Sequence, residues 1–328
     1  MIITIRPGAD PGRISKSLAA AGLWVARHQD ATRVQFVLEP HSRRVSAETL
    51  RRIEGVESVL EQALAHPTLD ASPGVVQVGD VSIGPGQAPV LLAGPCAVES
   101  EEVLDEIAAS VKALGATFLR GGAYKPRTSP HSFQGHGAVA LGWLRRAADA
   151  HGLKVVTEVT SAADAERVAA HAELLQIGAR NMQNYDLLRA AGQTGRPVLL
   201  KRGLAATVDE WLLAAEHALV AGASGVIFCE RGVRSFDPST RFLLDLAAVS
   251  LLSVVHRRAV IVDPSHAVGR RDLVVPMGRA ALAAGASGLL VDVHPQPGEA
   301  LCDGPQALLP DELSLLRGAL KRETNHGG

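Results

Sequence analysis

Four side chains of metal-binding types follow short apolar runs in well-separated parts of the sequence: Cys96, His266, Asp292 and Asp303. A thiolate, an imidazole and two carboxylates together suit a divalent transition metal. A single buried cysteine is more often only a small core residue. His294 and Cys302 are competing candidates, and spacing alone does not choose among the six. The pattern therefore predicts a metal site if the apolar runs end at one place in the fold.

Positive charge is concentrated after the same apolar runs, although the net charge of the whole chain is −1. The cations are Arg120, Lys125, Arg127, Arg180, Lys201, Arg202, Arg231, Arg234, Arg270 and Arg271. Arginine binds phosphate or carboxylate in a bidentate manner, whereas lysine acts as a point charge. Any one of them could be a solvated surface residue, but most of the runs supply at least one. We therefore predict a site for small molecules with more than one anionic group.

Eight apolar runs of strand length alternate with helical stretches from Val90 onward. The runs are 90–93, 117–119, 154–157, 174–177, 197–200, 225–228, 259–262 and 288–291. Nearly continuous apolar strands alternating with helices predict a parallel sheet covered on both faces, and eight such units predict a (β/α)₈ TIM barrel. An open doubly wound sheet is the alternative, but no glycine-rich dinucleotide fingerprint follows the first run. Because barrel enzymes carry catalytic groups at the carboxyl ends of their strands, this fold would gather both sets of residues.

Residues 1–66 form a separate pattern, with the β-α-β-β-α-β order of a ferredoxin-like α+β module. Its predicted strands are 2–6, 24–27, 33–38 and 59–64, with one helix starting at Asp10-Pro11 and another at 46–52. Residues 67–74 are rich in turn formers and predict a linker. The barrel is expected within 75–328, preceded by a β-hairpin over 75–83. The first module could instead be a folded cap with no further role.

The bulk composition limits the classes of function. Hydrophobic residues make up 47% of the 328 residues, so disorder is not expected. The nearly neutral charge argues against nucleic acid as a partner, and no stretch approaches the roughly 20 apolar residues of a membrane span. Three cysteines and an N-terminus without a signal-peptide pattern predict a cytoplasmic protein without disulfides.

Six segments together resemble the 3-deoxy-D-arabino-heptulosonate 7-phosphate (DAHP) synthase family. They are GPCAVES, RGGAYKPRTSPHSFQG, IGARNMQN, LLKRG, CERGVRSF and DPSHAVGRRDLV, and the resemblance is strong over residues 75–310. It is greatest to the subtype with an N-terminal ferredoxin-like regulatory domain. This resemblance implies phosphoenolpyruvate and erythrose 4-phosphate as substrates and a divalent ion (Mn²⁺, Fe²⁺, Co²⁺ or Zn²⁺) as cofactor. It also implies a Tyr or Phe effector at the N-terminal domain and a homotetramer.

The resemblance further implies roles for individual residues. The metal would be held by Cys96, His266, Asp292 and Asp303. Phosphoenolpyruvate would be bound by Arg120, Lys125, Arg180, Lys201 and Arg231. The aldose phosphate would be held by Lys125, Pro126, Arg127, Thr128 and Ser129. The family usually has Glu where this chain has Asp292, which is one methylene shorter, so we expect metal binding that is retained but altered, directly or through a bridging water.

The implied reaction joins C3 of phosphoenolpyruvate to the aldehyde carbon of erythrose 4-phosphate, after which water adds at C2 and phosphate leaves. The predicted catalytic residues are Lys125 and the metal-binding pair Cys96 and His266. We expect Lys125 to transfer a proton, because neighbouring cations should lower its pKa. Its alternative role is that of an anion clamp only.

Three other functions are considered. A related family, 3-deoxy-D-manno-octulosonate 8-phosphate synthase, uses arabinose 5-phosphate and typically carries a KANRSS-like segment where this chain has KPRTS. A non-catalytic sugar-phosphate sensor is disfavoured by the intact Cys96, Lys125, Arg180 and His266. An aldolase that works through a Schiff base needs a buried lysine with no anion to bind, for which Lys201 is the best candidate.

Overall fold

The computed structural model describes residues 1–29, 33–39, 42–43, 45–61, 65–127 and 129–320. The strands are β1 (Ile2–Ile5), β2 (Val25–Gln29), β3 (Val34–Leu38), β4 (Val56–Leu60), β5 (Val76–Val78), β6 (Val81–Ile83), β7 (Val90–Gly94), β8 (Phe118–Arg120), β9 (Lys154–Glu158), β10 (Leu174–Ile177), β11 (Val198–Lys201), β12 (Val226–Glu230), β13 (Val260–Val262) and β14 (Gly288–Asp292). The helices are α1 (Pro11–Ala20), α2 (Ala47–Arg51), α3 (Pro67–Ala71), α4 (Glu101–Ala113), α5 (Ala138–His151), α6 (Ala165–Ala169), α7 (Tyr185–Gln193), α8 (Val208–Val220), α9 (Leu246–Ser250), α10 (Pro264–Val268), α11 (Arg271–Ala283) and α12 (Pro310–Leu320). None of the helices in these described ranges is long and apolar enough to cross a membrane. Two compact units result, Met1–Ala65 and His66–Gly328.

The first unit has the predicted ferredoxin-like order. Its four strands form an antiparallel sheet in the order β2-β3-β1-β4, and both helices pack on it. Asp10 caps α1 and Pro11 occupies the first turn, as expected from the sequence. The last strand begins at Val56 rather than at residue 59, and its pairing with β1 is irregular, with Thr4 opposite Ser58 and Ile5 opposite Val56. Residues 62–64 of the predicted strand lie outside the described residues.

The segment that was predicted as a linker contains helix α3, which belongs to the second unit. The backbone amides of Thr68 and Leu69 donate to the carboxylate of Glu216 on α8, at 2.8 and 2.7 Å. These bonds satisfy amides that a helix start leaves without an intrahelical partner. Leu69 is buried against the barrel helices. The local sequence did not reveal this helix, since its stabilising partner is distant along the chain.

The second unit is the predicted closed parallel barrel, so the open-sheet alternative is wrong. Strands β7 to β14 pair in chain order, and β14 pairs with β7 to close the ring. Side chains alternate along each strand: Leu92 packs inside the ring, whereas Leu91 and Ala93 pack outside against the helices. The nearly continuous apolar runs in the sequence therefore reflect strands that are buried on both faces.

The predicted hairpin, β5 and β6, closes one end of the barrel. Its Val76, Val78 and Ile83 pack with the residues that fill the ring, including Val90 at the start of β7 and Phe118 at the start of β8. The amino ends of the strands are thus covered by apolar side chains. The buried polar side chains Gln176, Lys201 and Arg231 lie toward the carboxyl ends and line the cavity there, which leaves that rim for chemistry.

Candidate active site

A cavity of about 310 Å³ opens at the carboxyl ends of the barrel strands, a volume that suits a small ligand. The predicted site residues on its wall are Cys96, Arg120, Lys125, Arg127, Ser129, Arg180, Lys201, Arg231, His266 and Asp303. Pro126 also lines it. Asp292 lies behind the wall, and Thr128 lies outside the described residues. The structure therefore gathers most of the predicted side chains around one space.

Three of the predicted metal-binding side chains form a tight cluster on this wall. The Sγ atom of Cys96 lies 3.4 Å from Nε2 of His266 and 3.0 Å from Oδ2 of Asp303. The His266 Nε2 atom is 3.6 Å from the same oxygen. These are separations at which one ion can contact all three donors. Sulfur, imidazole nitrogen and carboxylate oxygen are a donor set that fits a divalent transition metal.

Asp292, the fourth predicted ligand, is buried and bonded on both oxygens. Its Oδ1 accepts from Nη1 of Arg120 and its Oδ2 accepts from Nε2 of Gln306, both at 2.6 Å. Its closest approach to the imidazole is 3.5 Å, to Nδ1 of His266, whereas Cys96 and Asp303 face Nε2. The carboxylate thus faces Nδ1 of the ring, yet donor atoms of Cys96, His266 and Asp292 lie within 4.8 Å of one another, so it stays within reach of an ion at this cluster.

Asp263 fixes the orientation of the His266 ring. Its carboxylate accepts from the backbone amide of His266 at 2.9 Å, from Nδ1 of His266 at 3.2 Å and from Nζ of Lys201 at 2.5 Å. Burial opposes the charge on His266, but Asp263 and Asp292 outweigh it and raise the His266 pKa to about 10. Burial would likewise raise the pKa of Asp263, yet His266 and Lys201 hold it well below its usual value. A histidine that donates from Nδ1 to a carboxylate presents Nε2 to a metal.

Local backbone geometry delivers Cys96 and Asp303 to the cluster. A Cβ at Gly94 would collide with the carbonyl oxygen of Arg120, so only glycine lets the loop after β7 approach β8 this closely. Asp303 has a φ of 53°, which non-glycine residues adopt infrequently. At Gly304 a Cβ would collide with the carbonyl oxygen of Pro297. The loop after β14 therefore folds back on itself at this point and turns the carboxylate toward Cys96.

Six of the ten predicted cations line the cavity, and the prediction is wrong for four. Those on the wall are Arg120, Lys125, Arg127, Arg180, Lys201 and Arg231. Arg202 instead pairs with Glu230 and Asp245, Arg270 pairs with Asp272, Arg271 lies near Glu312, and Arg234 is exposed. Spacing from a strand end located the correct loops. This spacing did not show which side chains point away from the cavity and pair with acidic residues elsewhere.

Two cations on the wall keep donors available for an anion. Within the described residues no hydrogen-bond partner is found for the buried Nη1 atoms of Arg127 and Arg231. The Arg231 guanidinium lies over the ring of Phe242 at 4.3 Å, and burial lowers its pKa. A buried guanidinium that its surroundings do not neutralise favours a bound anion.

Lys125 differs from the expectation in its electrostatics. Its Nζ lies 2.7 Å from Sγ of Cys96 and 3.8 Å from Oδ2 of Asp303. Burial alone would lower the Lys125 pKa, but the sulfurs of Cys96 and Cys302 favour the ammonium more strongly and raise it. The expected lowering by neighbouring cations is therefore wrong, because its closest neighbours are potential anions.

Comparison with known proteins identifies the group to which this barrel belongs. Residues 59–326 match the DAHP synthetase I family. The chain belongs to this family. It is 43% identical to the phospho-2-dehydro-3-deoxyheptonate aldolase of Thermotoga maritima over 94% of its own length and 93% of the relative's. It is also 35% identical to a 2-dehydro-3-deoxyphosphooctonate aldolase of Rhodopseudomonas palustris, over 74% of this chain and 91% of that protein.

Solved structures agree with this DAHP synthetase I membership. The crystal structure of the Thermotoga maritima phospho-2-dehydro-3-deoxyheptonate aldolase (DAHP synthase) superposes with a TM-score of 0.75 at 40% identity, covering 98% of this chain and 95% of that one. A truncated form of the synthase from the same organism covers 75% of this chain and 90% of its own, with a TM-score of 0.70 at 45% identity.

Sequence reasoning missed some residues of this DAHP synthetase I site. Arg241 lines the cavity and donates to Oδ1 of Asp303 at 3.2 Å and to Oε1 of Gln306 at 3.1 Å. It lies far along the connection after β12, beyond the segment where cations were sought. Asp263 stood within a recognised motif, DPSHAVGRR, and its place as the cap of a histidine-bearing helix was the available signal. The sequence around Gln306 gave no such signal.

Replacing Asp263 with asparagine should weaken metal binding. The amide keeps the size of the side chain but loses the charge that orients His266, and changes next to a metal ligand typically lower affinity about 10–100-fold. Titration of the metal-free protein with Co²⁺, followed by absorbance, measures the loss. Asp272→Asn, which alters only an exposed pair with Arg270, is the matched control. Equal affinity of a folded Asp263→Asn variant and the control would contradict this role.

Proposed function

We propose that the protein is a metal-dependent DAHP synthase, which converts phosphoenolpyruvate and erythrose 4-phosphate into 3-deoxy-D-arabino-heptulosonate 7-phosphate and phosphate. The observation that carries this is a metal-binding cluster and several cations on the wall of one cavity. The relative named for the heptonate product is similar along almost the whole chain, and relatives named for the octonate product match a smaller part at lower identity. Both observations support erythrose 4-phosphate over arabinose 5-phosphate.

The cations divide the work of binding two phosphorylated compounds. We assign phosphoenolpyruvate, with its carboxylate and phosphate, to Arg120, Lys125, Arg180, Lys201 and Arg231. Its binding would satisfy the unpartnered donor of Arg231. The aldose phosphate is assigned to the segment 125–129, where Nη1 of Arg127 has no partner in the described part of the chain and Ser129 lines the same cavity. Contacts from several cations hold both compounds in a fixed orientation. Holding two reactants in the correct orientation removes a large part of the barrier to their reaction.

We propose that Cys96, His266, Asp303 and Asp292 would hold the metal, with Asp292 acting directly or through a water, since its oxygens also accept hydrogen bonds from Arg120 and Gln306. When bound, a divalent ion supplies Lewis-acid polarisation of a carbonyl oxygen. Asp263 holds the imidazole in the tautomer with a free Nε2. The native ion among Mn²⁺, Fe²⁺, Co²⁺ and Zn²⁺ is a question for metal analysis of the purified protein.

Lys125 is assigned to proton transfer as an acid. Attack by C3 of phosphoenolpyruvate forms the new carbon–carbon bond and leaves negative charge on the former aldehyde oxygen. An ammonium group, whose raised pKa keeps it protonated, can donate a proton to that oxygen. Water then adds at C2, and phosphate leaves with its bridging oxygen by C–O cleavage. The cations that bind the phosphate hold the departing charge in place.

A Schiff-base mechanism at Lys201 is disfavoured by its surroundings. The Lys201 Nζ donates to the buried carboxylate of Asp263 at 2.5 Å. A Schiff-base lysine needs an amine that is free to attack a carbonyl, and this Nζ is instead held in a hydrogen bond by a buried carboxylate. Lys201 therefore fits an anion-binding and positioning role better than a covalent one.

We also propose that the N-terminal unit binds Tyr or Phe and restrains the barrel, and that the protein assembles as a homotetramer. The unit has its own apolar core around Ile3, Leu18 and Phe36, so it is a folded module and not an extension of the barrel core. Its topology and the family resemblance support this role.

The proposed reaction requires one sugar and a metal. We expect phosphate release from phosphoenolpyruvate in the presence of erythrose 4-phosphate, and little or none in the presence of arabinose 5-phosphate. Treatment with a chelator should abolish this phosphate release, and added Mn²⁺ or Co²⁺ should restore it. Product identification by mass spectrometry distinguishes the two condensation products. Full activity in excess chelator would refute metal dependence, and preference for arabinose 5-phosphate would support the octonate synthase instead.

Lys125→Met should abolish turnover, because the variant loses both the proton donor and an anion contact. A loss of about 100-fold or more is expected for removal of a general acid. Lys112→Met is the matched control, since Lys112 donates only to the carbonyl of Gly152 on the outside of the barrel. Near-normal turnover by the Lys125 variant would remove it from the catalytic residues.

A chain that begins at His66, where the barrel unit starts, should keep turnover and lose inhibition by Tyr or Phe. Initial rates of the full chain and the shortened chain, measured with and without each amino acid, test this. Size-exclusion chromatography with light scattering on both gives the subunit number. Equal inhibition of both chains would exclude a regulatory role for the N-terminal unit.

A further inference from the structure

Arg241, on the connection after β12, is joined to both acidic side chains of the metal-binding cluster. Its Nη1 donates to Oδ1 of Asp303 at 3.2 Å and to Oε1 of Gln306 at 3.1 Å. Gln306 is only 2% exposed, and its Nε2 donates in turn to Oδ2 of Asp292 at 2.6 Å. One guanidinium therefore contacts one carboxylate directly and reaches the other through a buried amide.

These bonds fix which atoms of the two acids face the other donors. Arg241 bonds to Oδ1 of Asp303, while Oδ2 faces the sulfur and the imidazole of the cluster. The amide of Gln306 accepts through its oxygen from Arg241, so its NH₂ group is directed to Asp292. Loss of the arginine would allow the amide to turn and place its oxygen against the Asp292 carboxylate, an unfavourable contact between two acceptors.

Arg241 is itself held by the helix that carries His266. The backbone amides of Arg241 and Phe242 donate to carbonyl oxygens of α10, at 3.1 and 2.8 Å. At Gly269, which ends α10 with a φ of 70°, an added Cβ would lie only 2.7 Å from Cβ of Arg241. The arginine is therefore packed tightly against one metal-binding element while its side chain contacts another.

We propose that Arg241 is a positioning residue, which holds Asp303 and, through Gln306, Asp292 in the orientation that a metal ion requires. The inference rests on the proposed function only in that a divalent ion occupies the cluster. Ligating carboxylates are usually held by further hydrogen bonds, and loss of such a partner typically lowers metal affinity about 10–100-fold. Asp303 has particular need of one, because it lies on a loop, where side chains are held less precisely than on a helix or strand.

The competing role for Arg241 is direct binding of a substrate anion. It lines the cavity, and its guanidinium lies 5.7 Å from the ring of Phe242, over which Arg231 also lies. The contacts favour positioning, because Nη1 of Arg241 already has two acceptors, whereas Nη1 of Arg231 has none among the described residues. The two roles differ in what a substitution changes: metal affinity in one case, and the KM for phosphoenolpyruvate in the other.

Titration of the reduced, metal-free full chain with Co²⁺, followed by absorbance, tests the proposal. Arg241→Met should lower the affinity for Co²⁺ about 10–100-fold, and Arg241→Lys, which keeps the charge and a donor, should recover part of the loss. Arg234→Met is the matched control and should equal wild type, since Arg234 is an exposed arginine of the same connection that lies outside the cavity wall. Because the Arg241 side chain is 38% exposed, its replacement should leave the fold intact. Arg241→Gln, for which the same loss is expected, replaces Arg241→Met if that variant does not fold.

Steady-state kinetics at saturating Co²⁺ separates the two roles. Arg241→Met should keep the wild-type KM for phosphoenolpyruvate, because the arginine acts on the ligands of the ion and not on the substrate. A raised KM together with wild-type affinity for Co²⁺ would show that Arg241 binds the substrate anion, and would overturn the proposal.

The connection through Gln306 is tested by a double variant. Arg241→Met and Gln306→Met interrupt the same path to Asp292, so together they should cost less Co²⁺ binding free energy than the sum of the two separate losses. Losses that simply add would overturn the part of the proposal that concerns Asp292.

The outcomes also separate this inference from the proposed function. If folded Arg241→Met binds Co²⁺ as tightly as wild type, while wild type still releases phosphate with erythrose 4-phosphate, Arg241 is not a positioning residue and the synthase assignment stands. If wild type binds no Co²⁺ and a chelator leaves its turnover unchanged, the metal-dependent function itself fails, and the role of Arg241 fails with it.

Discussion

The pairing of β14 with β7 is the constraint on which the site depends, because it closes the barrel and joins the two ends of its sequence. Cys96 follows the first barrel strand, whereas His266 and Asp303 follow the last two. In an open sheet the first and last strands would lie at opposite edges. Closure makes β14 and β7 neighbours. Five residues of β14 pair with five of β7, from Gly288 opposite Val90 to Asp292 opposite Gly94. The metal-binding cluster is thus a direct consequence of the ring.

Charge at the rim is arranged in two layers. Behind the cavity, the buried carboxylates of Asp263 and Asp292 hold Lys201, Arg120 and His266 by short ion pairs. In front, the Nη1 atoms of Arg231 and Arg127 have no hydrogen-bond partner among the described residues and can donate to a ligand. Buried ion pairs contribute little net stability because desolvation offsets their attraction, but breaking one leaves an uncompensated charge. The inner layer therefore serves mainly to fix the geometry of the outer one, while the apolar side chains of the ring and the hairpin pack together below it.

The sequence was informative where a pattern is local and uninformative where a partner is distant. Alternating apolar runs predicted all eight barrel strands, since burial on both faces leaves a direct trace in composition. Helix α3 was missed because its amides bond to Glu216, far along the chain. The side chain of Arg202 points away from the cavity to Asp245, whereas that of Arg241 points to Asp303 at the cavity. Both acids are distant along the chain, so the local sequence did not indicate either orientation. The pKa of Lys125 was predicted in the wrong direction because only its cationic neighbours were visible in sequence.

The same distinction explains the metal ligands, for which residue type and strand position identified the cluster but not the division of roles within it. Six side chains of ligating type were equivalent in sequence: their types fit a metal, and their spacing allowed any subset. In three dimensions the two nitrogens of His266 separate them, because Asp263 and Asp292 face Nδ1 while Cys96 and Asp303 face Nε2. His294 faces Glu99 instead. Asp292, one methylene shorter than the glutamate usual in the family, is bonded to Arg120 and Gln306 and still lies with Cys96 and His266 in one group of donors.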